Sequence, residues 1–231
     1  MKIFAIGDLH LASSVDKPMD IFGDNWDRHV EKIKYNWEKQ VAKEDFVIIA
    51  GDISWAMNLE EARSDLEILH NLPGKKICIR GNHDYWWEKI SKLNQFYEDI
   101  YFLQNKAYQI DEVVLCGTRG WLCPNDTKFT EHDQKLYERE AMRLKLSLEE
   151  AKSIENKIVI LHYPPTNDKK EPSLFTELIE TYNVKQVIYG HLHGEEAYLQ
   201  SLLGEYKGTR YQLVSADYLD FTPIPIVKGH S

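Results

Sequence analysis

A chain of 231 residues is long enough for one sizeable hydrophobic core, and its 43% apolar and 28% charged residues are ordinary for a globular domain. The formal net charge of −9 excludes an extended nucleic-acid face, which would need clustered Lys and Arg. No apolar run approaches a membrane span, and the apolar start of the chain ends at Gly7-Asp8, too early for a secretory signal.

In chain order, the first β-rich run covers residues 2–6 and delivers Asp8 and His10 directly after it. Trp26, Val30, Ile33, Trp37 and Val41 then recur every three or four residues, which predicts a helix of about five turns. A second run, 45–50, ends in Gly51-Asp52. Leu59, Ala62, Leu66 and Leu69 mark a helix that Asn58 is placed to cap. The third run, 76–80, leads into Gly81-Asn82-His83-Asp84. Another, 113–116, is followed by Gly117-Thr118-Arg119-Gly120-Trp121.

The stretch from about 130 to 155 is helical, and the capping-box spacing of Ser147 and Glu150 predicts a break into two helices. Residues 157–161 form the next strand, with His162-Tyr163 at its end. Pro172, Leu174, Phe175, Leu178 and Ile179 describe a further helix. The run 185–189 carries Gly190-His191-Leu192-His193 at its end, and 211–215 is the last predicted strand. Several runs are almost wholly apolar, as strands covered on both faces are. There is no repeat or linker, so the chain is expected to be a single α/β domain over 1–231, with a helical lid or insertion at about 120–155. Cys78, Cys116 and Cys123 lack zinc-ligand spacing and read as buried, reduced thiols of a cytoplasmic protein.

The reactive residue types fall at strand ends, where open α/β sheets bind ligands. Five of the nine histidines sit there. Asp-x-His alone carries little weight, since a chain of this composition contains it about 0.6 times by chance. Asp27-Arg28-His29 also fits that pattern, and on the predicted helix its side chains diverge, which makes it surface chemistry. Gly-Asn-His-Asp is expected only about 0.0015 times and Gly-His-x-His about 0.02 times. Two Asp, one Asn and four His form a ligand set too large for one ion. Such oxygen and nitrogen donors suit Mn, Fe or Zn. Two ions sharing a carboxylate would lower the pKa of a bridging water and clamp a phosphoryl oxygen for in-line displacement. The residues therefore point to phosphoester hydrolysis.

The ordered series Asp8-x-His10, Gly51-Asp52, Gly81-Asn82-His83-Asp84, His162 and Gly190-His191-x-His193 resembles the signature of the calcineurin-like metallophosphoesterases, from residue 8 to residue 193. The resemblance implies a two-sheet β-sandwich flanked by helices in αββα layers, with two divalent metal ions at the strand ends. It implies that Asp8, His10, Asp52 and His193 hold one ion, and that Asp52 bridges to a second held by Asn82, His162 and His191. His83 takes the place of the family's catalytic histidine, which stabilises the transition state or protonates the leaving oxygen, and attack would come from a metal-bridging hydroxide. Asp84 has two readings, orienting the site or capping a helix that starts at Tyr85.

The protein Ser/Thr phosphatase branch typically carries Asp and Arg soon after its Gly-Asp, and Gly-Asn-His-Glu in its third motif. Here the sequence runs Gly51-Asp52-Ile53-Ser54-Trp55 and the third motif ends in Asp84. It is more similar to bacterial members acting on small phosphodiesters or phosphomonoesters, nucleotide-derived ones among them. The alternatives are a protein phosphatase and a non-catalytic, metal-binding scaffold. Trp55, Trp121, Arg119 and Tyr163 are candidate substrate contacts, against core packing for the tryptophans and a plain surface position for the arginine. Trp26, Trp86 and Trp87 read as core. Oligomeric state is not legible.

Overall fold

The structure is a computed structural model that describes residues 1–227. Its strands in chain order are β1 (Ile3–Ile6), β2 (Phe46–Ile49), β3 (Lys75–Cys78), β4 (Ile100–Phe102), β5 (Ala107–Ile110), β6 (Val113–Thr118), β7 (Asn156–Leu161), β8 (Gln186–Tyr189), β9 (Gly204–Tyr206), β10 (Thr209–Leu213) and β11 (Ile224–Val227). The helices are α1 (His29–Gln40), α2 (Leu59–Asn71), α3 (Ile90–Leu93), α4 (Glu131–Glu150), α5 (Leu174–Thr181) and α6 (Glu195–Gln200). They form two compact units, one of residues 1–102 with the segment from Val214 onward, the other of residues 103–213.

The first unit is built on a five-stranded mixed sheet of order β11-β1-β2-β3-β4. β1 to β4 run parallel and β11 is antiparallel at the edge. Pro225 is tolerated there because an edge strand leaves one row of backbone donors outside the ladder. Phe4, Ile6, Val47, Ile49 and Cys78 join Ile33 and Trp37 of α1 and Leu59, Ala62, Leu66 and Leu69 of α2 in one apolar core. The Trp37 indole donates to the Pro73 carbonyl at 2.8 Å, so its polar edge is satisfied within that core.

The second unit carries a six-stranded sheet of order β5-β6-β7-β8-β10-β9, parallel from β6 through β10 and closed by antiparallel strands at each edge. Tyr137, Ala141, Leu144 and Leu148 of α4 and Phe175 and Ile179 of α5 pack with Val114, Cys116, Val159, Leu161, Val187 and Tyr189.

Three helix expectations change. α1 begins at His29 and not at Trp26, because Arg28 takes a left-handed conformation that separates the helix from the turn holding Trp26. Residues 131–150 are one helix, opened by a Thr130–Asp133 capping box. Ser147 caps nothing: its hydroxyl donates to the Lys106 carbonyl and accepts from the Gly117 amide at 3.1 Å, while Glu150 accepts from the Ala107 amide at 2.9 Å. Tertiary partners therefore use the groups that local spacing assigned to a cap. No helix starts at Tyr85; the next one is α3, at Ile90. All seven predicted strands are present within two residues at each end, and the unpredicted ones are short or lie at sheet edges. Among the described residues no helix is long and apolar enough to cross a membrane.

Candidate functional site

In the first unit β1, β2 and β3 are parallel neighbours, so the loops after them lie side by side. Those loops carry Asp8 and His10, Asp52, and Asn82-His83-Asp84. Backbone bonds lock them together: the Asp8 amide donates to the Gly51 carbonyl at 2.9 Å and the His10 amide to the Asp52 carbonyl at 3.0 Å. Asp8, His10 and Asp52 all have positive φ, 54°, 47° and 51°. Such conformations are unfavourable outside glycine and gather where function requires them.

Asp8, His10 and Asp52 are buried. The His83 amide donates to Asp52 Oδ1 at 2.8 Å, and His10 Nε2 lies 3.8 Å from Asp52 Oδ2. That gap is too long for a hydrogen bond but within the reach of two donors that would hold one ion. Space for the Asp52 carboxylate depends on Gly81, where an added Cβ would stand 2.0 Å from Asp52 Oδ1. Asn82 is half-buried in the same loop. The donors and their spacing fit a divalent metal ion.

His83 is one-third exposed, with Nε2 4.0 Å from Asp52 Oδ2. Trp55 stacks on His10 with ring centroids 4.9 Å apart and also lies 4.2 Å from the His83 ring. Its indole donates to the Met19 sulfur at 3.2 Å. The ring thus braces both imidazoles while remaining half-buried.

Asp84 is fully buried and collects four donors. Oδ1 accepts from the Ile53 amide (2.9 Å), the Ser54 amide (3.2 Å) and the Trp86 indole (3.1 Å), and Oδ2 from the Gly81 amide (2.7 Å). Burial and the neighbouring Asp52 charge push its carboxyl up to about 7, against the pull of the backbone donors. Asp84 therefore ties the second strand-end loop to the third, and its bonds go to those loops instead of a helix cap.

Two residues that the sequence reading did not assign to the site support this half. Asp65 of α2 is buried and accepts from the Ser54 hydroxyl at 2.5 Å and from the Ser13 amide at 3.0 Å. An acidic residue between Ala62 and Leu66, on the apolar stripe of its helix, was the available signal. His29 is the other. It is buried, not surface chemistry, and its Nε2 lies 3.2 Å from the His10 carbonyl, between Trp26 (5.2 Å) and Phe221 (6.2 Å). A carbonyl only accepts, so Nε2 carries the proton. Burial lowers the pKa of His29, which keeps its ring neutral near pH 7. Trp26, Trp86 and Trp87 are buried core residues, as expected.

In the second unit β6, β7 and β8 are likewise parallel neighbours. Their ends present Arg119 and Trp121, His162 and Tyr163, and His191 and His193. The His162 and Tyr163 amides donate to the Arg119 carbonyl at 3.0 and 2.9 Å, and the Gly190 amide to the His162 carbonyl at 3.1 Å. His191 has φ 73°. Its Nδ1 faces His162 Nε2 at 3.2 Å, a hydrogen-bonding distance that also leaves both nitrogens close enough to hold one ion. His162 is fully buried, His191 half-buried and His193 exposed.

Arg119 is not a plain surface residue: its side chain is 14% exposed, lies 3.6 Å from Glu140 and sits 4.5 Å from the Trp121 ring centroid. Glu140, fully buried in α4, also holds Arg143 at 2.8 Å and accepts from the Thr118 hydroxyl at 2.5 Å. Trp121 donates to Asp133 at 3.0 Å, and Tyr163 packs 4.1 Å from His191. All three cysteines are buried free thiols, and burial pushes Cys116 up to about 11 and Cys123 up to about 12.

Comparison with known proteins adds to this geometry. An uncharacterized metallophosphoesterase of Helicobacter pylori is 25% identical over 208 residues, covering 88% of this chain and 47% of that protein. A probable cyclic nucleotide phosphodiesterase of Coxiella burnetii is 27% identical over 180 residues, 73% of this chain and 69% of that one. The chain spans about half the length, or less, of most of the curated relatives it matches. Among solved structures, the phosphopantetheinyl hydrolase of Mycobacterium tuberculosis has a TM-score of 0.58 at 14% identity, covering 97% of this chain and 95% of that one. Two mixed sheets flanked by helices are thus the shared fold. The family model for calcineurin-like phosphoesterases matches residues 1–195, the span that holds every strand-end motif above, and the chain belongs to that family.

Proposed function

We propose that this chain is a metal-dependent phosphoric ester hydrolase, acting in the cytoplasm on a small phosphodiester or phosphomonoester, nucleotide-derived esters included. The observation that carries the reading is the ligand spacing within each set of strand ends, 3.8 Å for His10 and Asp52 and 3.2 Å for His162 and His191. Asp8, His10, Asp52 and His193 would hold one ion, and Asp52, Asn82, His162 and His191 a second. When bound, two divalent ions (Mn, Fe or Zn) lower the pKa of a water and offset charge on the phosphoryl oxygens.

The rest falls to the chain. His83, exposed on one side and fixed through its amide to Asp52, donates a proton to the leaving oxygen. Asp84 orients the site by holding Gly81, Ile53 and Ser54 in place. Arg119, Trp55, Trp121 and Tyr163 are the proposed substrate contacts. The whole chain acts as one catalytic domain. A diester is favoured over a monoester, because the Coxiella relative is named as a cyclic nucleotide phosphodiesterase.

The test is hydrolysis of bis(p-nitrophenyl) phosphate beside p-nitrophenyl phosphate, by protein reconstituted with Mn²⁺. The diester is cleaved faster, and His83→Ala keeps its metal while kcat falls about 10²–10⁴-fold. Near-normal turnover by metal-loaded His83→Ala would overturn the role of His83. Metal-loaded protein inert toward both esters would overturn the hydrolase reading.

A further inference from the structure

The second unit contains a cavity of about 270 Å³. His191 and Tyr163 line it on one side, so it opens next to a proposed metal ligand. The remaining wall comes from the segments 122–128, 164–168 and 192–201. At about 30 Å³ per water it has room for about nine waters, or for an organic group of about ten non-hydrogen atoms.

The composition of the wall restricts what that group can be. Leu122, Pro164, Leu192 and Ala197 give apolar surface. The only formal charges on the lining residues are Lys128 and Asp168, which are opposite, so the wall's own side chains offer no excess positive charge to a second anionic group. Thr166 Oγ1, buried in the same wall, has no hydrogen-bond partner. A turn about χ1 would offer it to a guest, and satisfying a buried hydroxyl favours a guest that carries a polar atom. Small-molecule sites share this makeup of apolar wall with a few polar groups.

We infer that this cavity receives the uncharged organic arm of the phosphoester, and so selects esters of a neutral, partly apolar alcohol over esters with a second anionic group. The inference rests on the hydrolase reading above for its substrate but not for the cavity itself. Discrimination follows from size and charge: apolar contact in a fitted pocket is worth tenfold or more per lost group, and a second anionic group must leave water for a wall in which Asp168 offsets Lys128.

Three diesters with the same p-nitrophenol leaving group test it: methyl, phenyl and 4-carboxyphenyl p-nitrophenyl phosphate. For the wild type we expect kcat/KM to favour phenyl over methyl at least tenfold, and phenyl over 4-carboxyphenyl at least tenfold. Ala197→Trp, which fills the cavity, brings the phenyl-to-methyl ratio to within threefold of one. Leu122→Trp, from a different segment, does the same if cavity volume and not local folding is responsible. A ratio unchanged in both variants, or a wild-type preference for the carboxyphenyl ester, overturns the inference while leaving the hydrolase intact. If no ester is cleaved, calorimetric titration with phenyl methylphosphonate decides. Binding by the wild type that both variants lose keeps the cavity and retires the hydrolase reading, and absence of binding retires the cavity as well.

Discussion

Asp84 is buried, with four donors aimed at its two oxygens, and at that density the side chain cannot be exchanged for its amide without loss. In Asp84→Asn one oxygen becomes an NH₂ group that faces an N–H donor. Urea denaturation in the presence of a chelator should show a loss of about 1–3 kcal/mol, the cost of unsatisfied buried donors. An unchanged midpoint would contradict the bracing role. The motif residues around Asp84 were legible in the sequence because their chemistry demands those side chains at those spacings. Asp65 and His29 were not, because their roles come from contacts with residues 11 to 52 positions away. His29 shows the difference clearly. Its sequence pattern, Asp-x-His, pointed to a divergent surface pair on one helix. Arg28 in a left-handed conformation instead ends that geometry and turns the imidazole inward beneath His10.

At the scale of elements, the joint of β3 with β4 depends on one partly buried ion cluster. Lys76 is fully buried, and its ammonium donates to Asp99 Oδ2 at 2.7 Å and to the Leu72 carbonyl at 2.5 Å. His70 of α2 reaches Asp99 Oδ1 at 2.6 Å. Burial works to raise the Asp99 carboxyl, but hydrogen bonds from Lys76 and His70 outweigh it and hold it below the usual range. A folded-state pKa below the unfolded one gives stability that is present above the unfolded value, near about 3.9, and lost as pH falls through the folded value. Asp99→Asn should therefore cost about 2–3 kcal/mol at pH 7, where Lys76 is left without its counter-charge. The gap between the wild-type and variant stability curves should narrow as pH falls below the unfolded value and through the lower folded one. A constant gap across pH would contradict the ion-cluster account.

Elements with uninterrupted periodicity were readable in advance, as α2 was from Leu59, Ala62, Leu66 and Leu69. Ser147 misled because a hydroxyl within a helix has the same local signature as one at its start, and only the Lys106 carbonyl and Gly117 amide decide between them. β4, β5, β9 and β11 were missed because three- and four-residue edge strands carry little period-two signal.

For the whole molecule, each sheet places three parallel neighbouring strands so that their ends carry the unusual residues: β1, β2 and β3 in one, β6, β7 and β8 in the other. Strand order is a long-range property, which the sequence announced only through the placement of Asp and His after apolar runs. The cavity bordered by His191 had no such announcement, since Leu122, Ala197 and Leu192 are unremarkable residues brought together by the fold.

The central proposal is that Asp8, His10, Asp52, Asn82, His162, His191 and His193 would hold two ions, with Asp52 shared. Counting metal per chain by plasma mass spectrometry, after Mn²⁺ loading and gel filtration, tests it most directly. The account predicts two ions per chain in the wild type, and fewer than one retained by Asp52→Asn, because that change weakens both positions at once. Full occupancy at both positions in Asp52→Asn, or a wild type that binds no metal, would contradict it.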